Sequence, residues 1–387
     1  MTGIAFGLGA TLLYAATKRA PQAHPRTLIG WDWATRVAGR VSGTDGLLTA
    51  AERYELGPYY RSMVLELEAP ISAYTGTVLP RSTDVYVMDR RDWIDANIAN
   101  FQQLFEPIDE LYVELARAGG PALPGVPQAG QAIMSAQVGT LLGYLARRVL
   151  GQYDMSLLGK EMLSGGKLYF VEPNIRALQS SMGVPIDELR RWIALHESTH
   201  AHEFEVYPWV RDYMNDHLER YLRSVISDMR RGTDGNFAAS FLTRLIDNVR
   251  NGRSMLESMM SEEQRGIVSQ LQALMSLAEG YSNHVMNAVG RQVLPSFDLI
   301  HERVEQRQQR RGRTEELFLR LTGLKMKMEQ YRLGEAFTDE VVKARDVSFL
   351  NLAWQAPENL PSEWEIQHPL AWINRIDQQR APQSLPA

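Results

Sequence analysis

Along most of this chain, apolar residues recur at intervals of three and four, the spacing that places them on one face of an α-helix. The segments with this spacing are residues 31–41, 47–65, 96–118, 131–150, 213–230, 236–251, 261–289, 296–310 and 315–332. Only Asp84–Met88 and Lys167–Val171 have the short, β-branched and aromatic composition of strands. The pattern therefore predicts a mainly α protein, a large helical domain with a few short β-strands.

Three segments differ from this helical body in composition. Residues 1–24 include an apolar, glycine-rich run at 3–17, about 15 residues long, which is shorter than the ~20 residues that span a bilayer. We expect a buried or loosely attached helix there, with a weak membrane anchor or a cleaved signal as alternatives. Residues 119–130 are rich in Pro and Gly and are predicted to be a loop. We expect one domain over residues 25–376 and a disordered tail over 377–387.

One helical stretch also carries a chemical motif, His196-Glu197-Ser198-Thr199-His200. A helix turns about 100° per residue, so the two histidines project from one face and can hold one Zn²⁺. Glu197 then lies beside the ion, where its carboxylate can take a proton from a metal-activated water. The alternative is an ordinary surface helix that happens to carry two histidines.

Composition narrows the chemistry of such a site. The chain has no cysteine, which removes disulfides, thiolate nucleophiles and Cys-type zinc sites, so any metal must use histidine and carboxylate ligands. The net charge is −5, and no Lys/Arg tract dominates the sequence, which argues against a nucleic-acid partner. We expect a cytoplasmic protein, with membrane association through residues 3–17 as the alternative. The sequence predicts no particular oligomeric state.

A catalytic zinc usually has three protein ligands, so the motif needs one more. A further histidine ten positions after His196 would supply it, but that position is Val206. On a continuous helix His202 faces away from the metal, whereas Glu203 shares its face one turn after His200. We expect Glu203 to support a ligand or to face the substrate rather than to bind the metal.

Glu279 is the stronger candidate for the third ligand. It forms a polar stripe with Asn283 and Asn287 inside the otherwise apolar helix 261–289, where a buried carboxylate needs a partner such as a metal. A stripe that faces solvent is the alternative. Asn283 could orient Glu279 or a histidine ligand, and His284 is the candidate for stabilising an oxyanion. Tyr281 and Tyr169 are weaker candidates for the oxyanion role and are better explained as core aromatics.

The strand Lys167–Val171 precedes the metal helix closely in sequence. We expect it to form an exposed sheet edge beside that helix, where a peptide-like substrate could bind by strand addition.

Short motifs over residues 31–376 accompany the metal helix. They are Asp89-Arg90, Trp93, Asn97, residues 150–154, 171–174 and 192–200, Phe204, Pro208-Trp209, Glu279-Gly280, and residues 284–286, 323–332 and 354–361. In these residues the chain resembles a family of bacterial zincin-like hydrolases, labelled from gene context as associated with biosynthesis of the deazaflavin coenzyme.

The resemblance implies a largely helical fold with a metallopeptidase-like metal site. His196 and His200 would be ligands, Glu197 the base and, by similarity to glutamate-type zincins, Glu279 the third ligand. Such zincins commonly carry an acid four residues after that ligand, where this chain has Asn283.

These features together predict a zinc-dependent hydrolase of the metallopeptidase type. Zinc would be held by His196, His200 and Glu279, and Glu197 would act as general base when water attacks an amide or peptide bond. The alternatives are a non-catalytic or latent metal-binding scaffold that acts through its helical surface, and a structural helical bundle that binds no metal.

Overall fold

A computed structural model of the chain describes residues 27–43, 46–117, 126–153, 166–232, 260–309 and 324–380. Within these ranges the fold is mainly α, as predicted. The helices are α1 (Trp31–Ser42), α2 (Ala50–Thr75), α3 (Arg90–Arg117), α4 (Val126–Ala146), α5 (Glu172–Met182), α6 (Ile186–Glu205), α7 (Trp209–Gly232), α8 (Glu262–Val293), α9 (Phe297–Gln309), α10 (Leu324–Ala344), α11 (Val347–Leu350), α12 (Glu363–Gln367) and α13 (Pro369–Arg380). The strands are β1 (Asp84–Met88), β2 (Gly151–Tyr153) and β3 (Lys167–Val171).

The buried apolar residues form two clusters. The larger cluster packs α6 against α2 and α8, and it includes Leu67, Ile193 and Leu277. The smaller one joins α1, α3 and α4. Because burying a large aliphatic side chain contributes about 1.5–3 kcal/mol, the larger cluster fixes how α6 and α8 lie against each other.

The start of α8 is set by a local signal that the sequence shows directly. The hydroxyl of Ser261 accepts a hydrogen bond from the Gln264 backbone N–H, and the Gln264 side chain accepts one from the Ser261 backbone N–H. This reciprocal pair satisfies backbone groups that would otherwise lack partners at a helix start. It therefore fixes the beginning of the long helix that carries Glu279.

The helices α8 and α10 approach until their backbones touch. A Cβ at Gly334 would lie 1.8 Å from the carbonyl oxygen of Ser276, and one at Gly280 would lie 2.2 Å from the carbonyl carbon of Gly334. Only glycine permits this distance between the two helices. Glu279 directly precedes Gly280, so the close crossing also fixes the backbone of this residue.

The three strands form a small sheet in the order β1-β3-β2. β3 pairs in parallel with β1 and antiparallel with β2, in a register that places Gly151 opposite Phe170 and Tyr153 opposite Leu168. The prediction that Lys167–Val171 forms the edge beside the metal helix is therefore wrong, because this strand is paired on both sides. The edge that contacts α6 is β2.

Several predicted boundaries also differ from the structure. α2 continues through Pro58 and Pro70 to Thr75, beyond the predicted end at residue 65. α5 was not among the predicted helices. Pro173 lies in its first turn, where the missing N–H costs nothing. Residues 126–130 of the predicted loop belong to α4, and residues 377–380 of the predicted tail belong to α13.

Some predictions concern residues that the structure does not describe. These are the apolar segment within residues 1–24, residues 119–125 of the loop, the helix at 236–251, residues 315–323 of another helix, and residues 381–387 of the tail. In the part of the chain that is described, no helix is long and apolar enough to cross a membrane.

Candidate metal centre

The helix α6 presents the two motif histidines side by side. Asp187 and Glu188 lie in its first turn, where negative charge stabilises the helix dipole, and buried Leu189 and Ile193 hold it against the core. One turn further on, the imidazole rings of His196 and His200 lie with their centroids 4.7 Å apart. The spacing in the sequence thus becomes a pair of imidazoles on one face.

Glu279 on α8 faces this pair. The structure brings one ligand atom from each of His196, His200 and Glu279 to within 4.8 Å of one another, and His196 Nε2 lies 3.8 Å from Glu279 Oε2. Ligand atoms of a tetrahedral zinc site lie about 3.4 Å apart, given bonds of about 2.1 Å. Small side-chain movements would close that difference. The side chains of His196 and Glu279 are 21% and 22% exposed, so an ion can reach them from solvent.

The far side of His200 is held by a buried carboxylate. Glu203 Oε2 lies 2.8 Å from His200 Nδ1, and Ser282 Oγ donates to Glu203 Oε1 at 2.9 Å while lying 3.0 Å from the same ring nitrogen. An ionised carboxylate only accepts hydrogen bonds, so Nδ1 carries the proton and Nε2 is left for a metal. This agrees with the supporting role that we expected for Glu203.

Ser282 is a contact that the sequence did not predict. It lies on α8 three residues after Glu279, is fully buried, and links that helix to Glu203 on α6. A single serine in a helix has no spacing that distinguishes it, so no signal in the sequence could have found it. Asn283, four residues after Glu279, lines the cavity described below.

The electrostatics of the cluster suit a cation. Burial lowers the pKa of His196 to about 3, and the neighbouring His200 adds to this effect. Burial also opposes charge on His200, but the surrounding Glu203, Glu279 and Glu197 raise its pKa to about 10. In the metal-free protein the surrounding carboxylates thus favour a positive charge on His200, and a bound divalent ion would take the place of that charge.

Glu197 points toward the edge strand β2. Burial raises its pKa to about 7, and the nearby Glu279 adds to this, whereas His200 and a hydrogen bond from the Tyr153 backbone act in the opposite direction. A Cβ at Gly151 would lie 2.7 Å from Glu197 Cγ and 2.8 Å from its Oε1. The glycine therefore gives the carboxylate the space that a side chain would fill, which the sequence did not reveal.

A cavity of about 660 Å³ opens between α6, α8 and β2. This volume is within the range of pockets that bind small ligands. Its described lining is Arg148, Val149, Leu150, Gly151, Gln152, Tyr153, Trp192, Ile193, His196, Glu197, His200, Phe204, Met275, Ala278, Glu279 and Asn283. The candidate base and all three candidate ligands thus face one cavity.

The structure does not bring His284 to this cluster. Its Nε2 lies 2.6 Å from the Tyr74 hydroxyl, and its Nδ1 lies 2.6 Å from Asp339 Oδ1, both at hydrogen-bond distance. Both ring nitrogens are therefore occupied by groups from α2 and α10, and the residue is absent from the described lining of the cavity. These contacts give no support to the oxyanion role predicted for His284.

The other candidate residues have partners away from the cluster. The Tyr281 hydroxyl donates to Asn351 Oδ1 at 2.8 Å, and the Tyr169 ring stacks on Tyr86. His202 is buried with Nδ1 3.0 Å from the Thr77 hydroxyl, on the side of α6 that faces away from His200, as predicted. Burial lowers the pKa of His202 to about 4, which keeps this imidazole neutral at physiological pH.

A largely helical fold with an HExxH helix and a downstream glutamate defines a metalloprotein of the zincin class. The chain belongs to the zincin-like metallopeptidase family, whose family model matches residues 29–373. Membership implies a metal, typically zinc, and the structure contains a cluster of His196, His200 and Glu279 that could hold one.

A solved structure supports the same assignment. The chain is similar to a candidate hydrolase with a novel fold from Chloroflexus aurantiacus, with 42% sequence identity and a TM-score of 0.66. The match covers 90% of this chain and 99% of that one. A comparison with curated proteins found no match.

Proposed function

We propose that this protein is a zinc-dependent hydrolase that cleaves an amide or peptide bond. The observation that carries the proposal is the convergence of His196, His200, Glu279 and Glu197 on one cavity of about 660 Å³. Family membership supports hydrolysis of peptide-like bonds, and the donor set of two imidazoles and one carboxylate is that of known catalytic zinc sites.

In this proposal His196, His200 and Glu279 hold the zinc. When bound, zinc supplies a Lewis acid that polarises a carbonyl oxygen and lowers the pKa of a water molecule to about 7. Glu197 takes the proton from the attacking water and passes it to the leaving amine. In the metal-free protein burial raises the pKa of Glu197 to about 7, and a zinc ion beside it would lower that pKa, so that the carboxylate is ionised and able to accept a proton near neutral pH.

The edge strand β2 would position the substrate. It borders the cavity, and Gly151 packs against Glu197, so an extended peptide added alongside β2 would pass close to the base. Apolar walls that include Trp192, Phe204 and Met275 would exclude water from the bond being cut.

The test is a comparison of the zinc-loaded protein with Glu197→Gln and Glu279→Ala. We expect the wild type to cleave members of a quenched fluorescent peptide library. Glu197→Gln should keep stoichiometric zinc and lose turnover, whereas Glu279→Ala should lose zinc in elemental analysis. Retained turnover in Glu197→Gln would overturn the assignment of the base, and a wild type that holds zinc but cleaves no peptide would favour a scaffold.

A further inference from the structure

The short strand β2 contacts the proposed base directly. The Glu197 carboxylate accepts a hydrogen bond from the backbone N–H of Tyr153, and it packs against Gly151. β2 has only three residues and lies at the edge of the sheet, where it pairs with β3. Few main-chain hydrogen bonds therefore hold this strand. The position of the Glu197 carboxylate depends on what else fixes β2.

The side chain of Tyr153 attaches the strand to the end of α6. Its hydroxyl donates to Glu205 Oε1 at 2.5 Å, and its ring stacks on Phe204 with the ring centroids 5.4 Å apart. Tyr153 is 4% exposed and Glu205 is 8% exposed, so water does not compete for this hydrogen bond. A hydrogen bond from a hydroxyl to a carboxylate is about twice as strong as one between neutral groups. It therefore adds a strong link between β2 and α6.

Two further residues complete the surroundings of this hydrogen bond. Arg211 Nη2 donates to the Tyr153 hydroxyl oxygen at 3.0 Å and to Glu205 Oε1 at 3.1 Å, so a cation balances the buried carboxylate. A Cβ at Gly166 would lie 2.7 Å from Glu205 Oε1 and 2.8 Å from Tyr153 Cε2. The glycine leaves the space that the two side chains fill. The phenol is thus enclosed and has little freedom to move.

Tyr153 and the base lie on the same side of α6. Phe204 follows Glu197 by seven residues, which is nearly two full turns. β2 therefore runs along one face of α6, with Gly151 against Glu197 and Tyr153 against Phe204. We propose that Tyr153 is a positioning residue, whose bond to Glu205 fixes β2 so that the strand holds the Glu197 carboxylate in the orientation for proton transfer. This inference rests on the proposed hydrolase function.

The experiment uses Tyr153→Phe, which keeps the ring and the backbone N–H and removes only the hydroxyl. In the zinc-loaded, full-length protein we expect kcat for a quenched fluorescent peptide to fall about tenfold, because small displacements of a reacting group are costly. KM and the Kd for zinc should not change, because the hydroxyl contacts Glu205 and Arg211 rather than the candidate metal ligands. A rise in KM or a loss of zinc that accounts for the lower turnover would overturn the proposal.

Tyr60→Phe is the matched control. Tyr60 is fully buried, its hydroxyl donates to the buried Glu172 at 2.7 Å, and its ring stacks on Phe170, but it is absent from the described lining of the cavity. This variant loses an equivalent hydrogen bond and should keep the kcat of the wild type. An unchanged kcat in Tyr153→Phe, or an equal loss in Tyr60→Phe, would contradict the positioning role.

Hydrogen exchange in the metal-free protein gives a second readout that needs no turnover. The amides of residues 150–153 should exchange about tenfold faster in Tyr153→Phe than in the wild type or in Tyr60→Phe, because β2 opens more often. Equal exchange in all three proteins would show that the hydroxyl does not fix β2 and would overturn the proposal. If the exchange rates differ but the wild type cleaves no peptide, the hydrolase function fails while the attachment of β2 by Tyr153 stands.

Discussion

The buried carboxylate of Glu203 allows a direct test of how the site holds its metal. Glu203→Gln preserves the shape of the side chain and one oxygen that can accept from His200 Nδ1. It removes the negative charge and replaces the second oxygen, which accepts from Ser282, with an amide group. We expect weaker zinc binding, because an imidazole is a better metal ligand when its other N–H is bonded to a carboxylate.

The structure gives the size of this effect. The Glu203 side chain is fully buried, so solvent does not replace the hydrogen bonds that it accepts at 2.8 and 2.9 Å. A hydrogen bond to a charged group contributes about 1.5–3 kcal/mol, against about 1 kcal/mol for a neutral one. The difference of about 0.5–2 kcal/mol corresponds to a roughly 2- to 30-fold higher Kd for zinc. Glu203→Ala, which removes both acceptors, should raise Kd by about 100-fold.

The assay is a competition titration of the metal-free protein against a chromophoric zinc chelator at neutral pH. Glu188→Gln is the matched control, since it makes the same change on the same helix, where the carboxylate accepts from the Ser296 backbone and hydroxyl. This control should leave Kd unchanged. An unchanged Kd for Glu203→Gln would refute the reasoning, as would an equal loss in Glu188→Gln, which would indicate a general effect of altering α6.

Three further predictions concern Glu197 and the glycines. Gly151→Ala should displace the Glu197 carboxylate and lower turnover at least ~10-fold, while the affinity for zinc is retained. Turnover equal to that of the wild type would contradict the close contact between Gly151 and Glu197. In the metal-free protein, the pKa of Glu197 rises from 4.5 to about 7 on folding, so its contribution to stability is present below pH 4.5 and lost as pH rises through 7. Urea titrations should therefore show that the free energy of unfolding of the wild type falls by about 3 kcal/mol more than that of Glu197→Gln over this pH range. The same dependence of this free energy on pH in both proteins would contradict the prediction. Gly334→Ala, which places a methyl group against the Ser276 backbone, should lower the free energy of unfolding by more than ~2 kcal/mol. Gly266 lies on α8 with open space around it, so Gly266→Ala should not lower the free energy of unfolding. Equal losses of this free energy in the two variants would argue against the close helix crossing.

The helical fold and two parts of the candidate site, the paired histidines and the carboxylate inside an apolar helix, could be predicted because each depends on spacing within one element. Two histidines four residues apart on a helix must share a face, and the polar stripe that begins at Glu279 identified a carboxylate inside an apolar helix. Both inferences need only the geometry of a single helix.

The contacts between segments could not be predicted in the same way. Gly151 matters because a strand of three residues passes over Glu197, and such a short strand has too few positions to show alternation. The hydrogen bond between Ser282 and Glu203 depends on how α6 and α8 are rotated against each other, which the spacing within either helix does not determine. His284 has the chemistry of a catalytic residue, but its direction is set by Tyr74 and Asp339, which are distant in sequence.

The backbone contact between Gly280 and Gly334 implies that this protein can fold before it binds a metal. Because α8 is fixed against α10 by main-chain contact, the backbone beside Glu279 is held in place by packing and does not depend on an ion. Small zinc domains fold only as they bind metal, whereas here the ion would enter a scaffold that is already assembled. A chelator should therefore remove the metal and leave the fold, so that the protein can be emptied and refilled with other divalent ions.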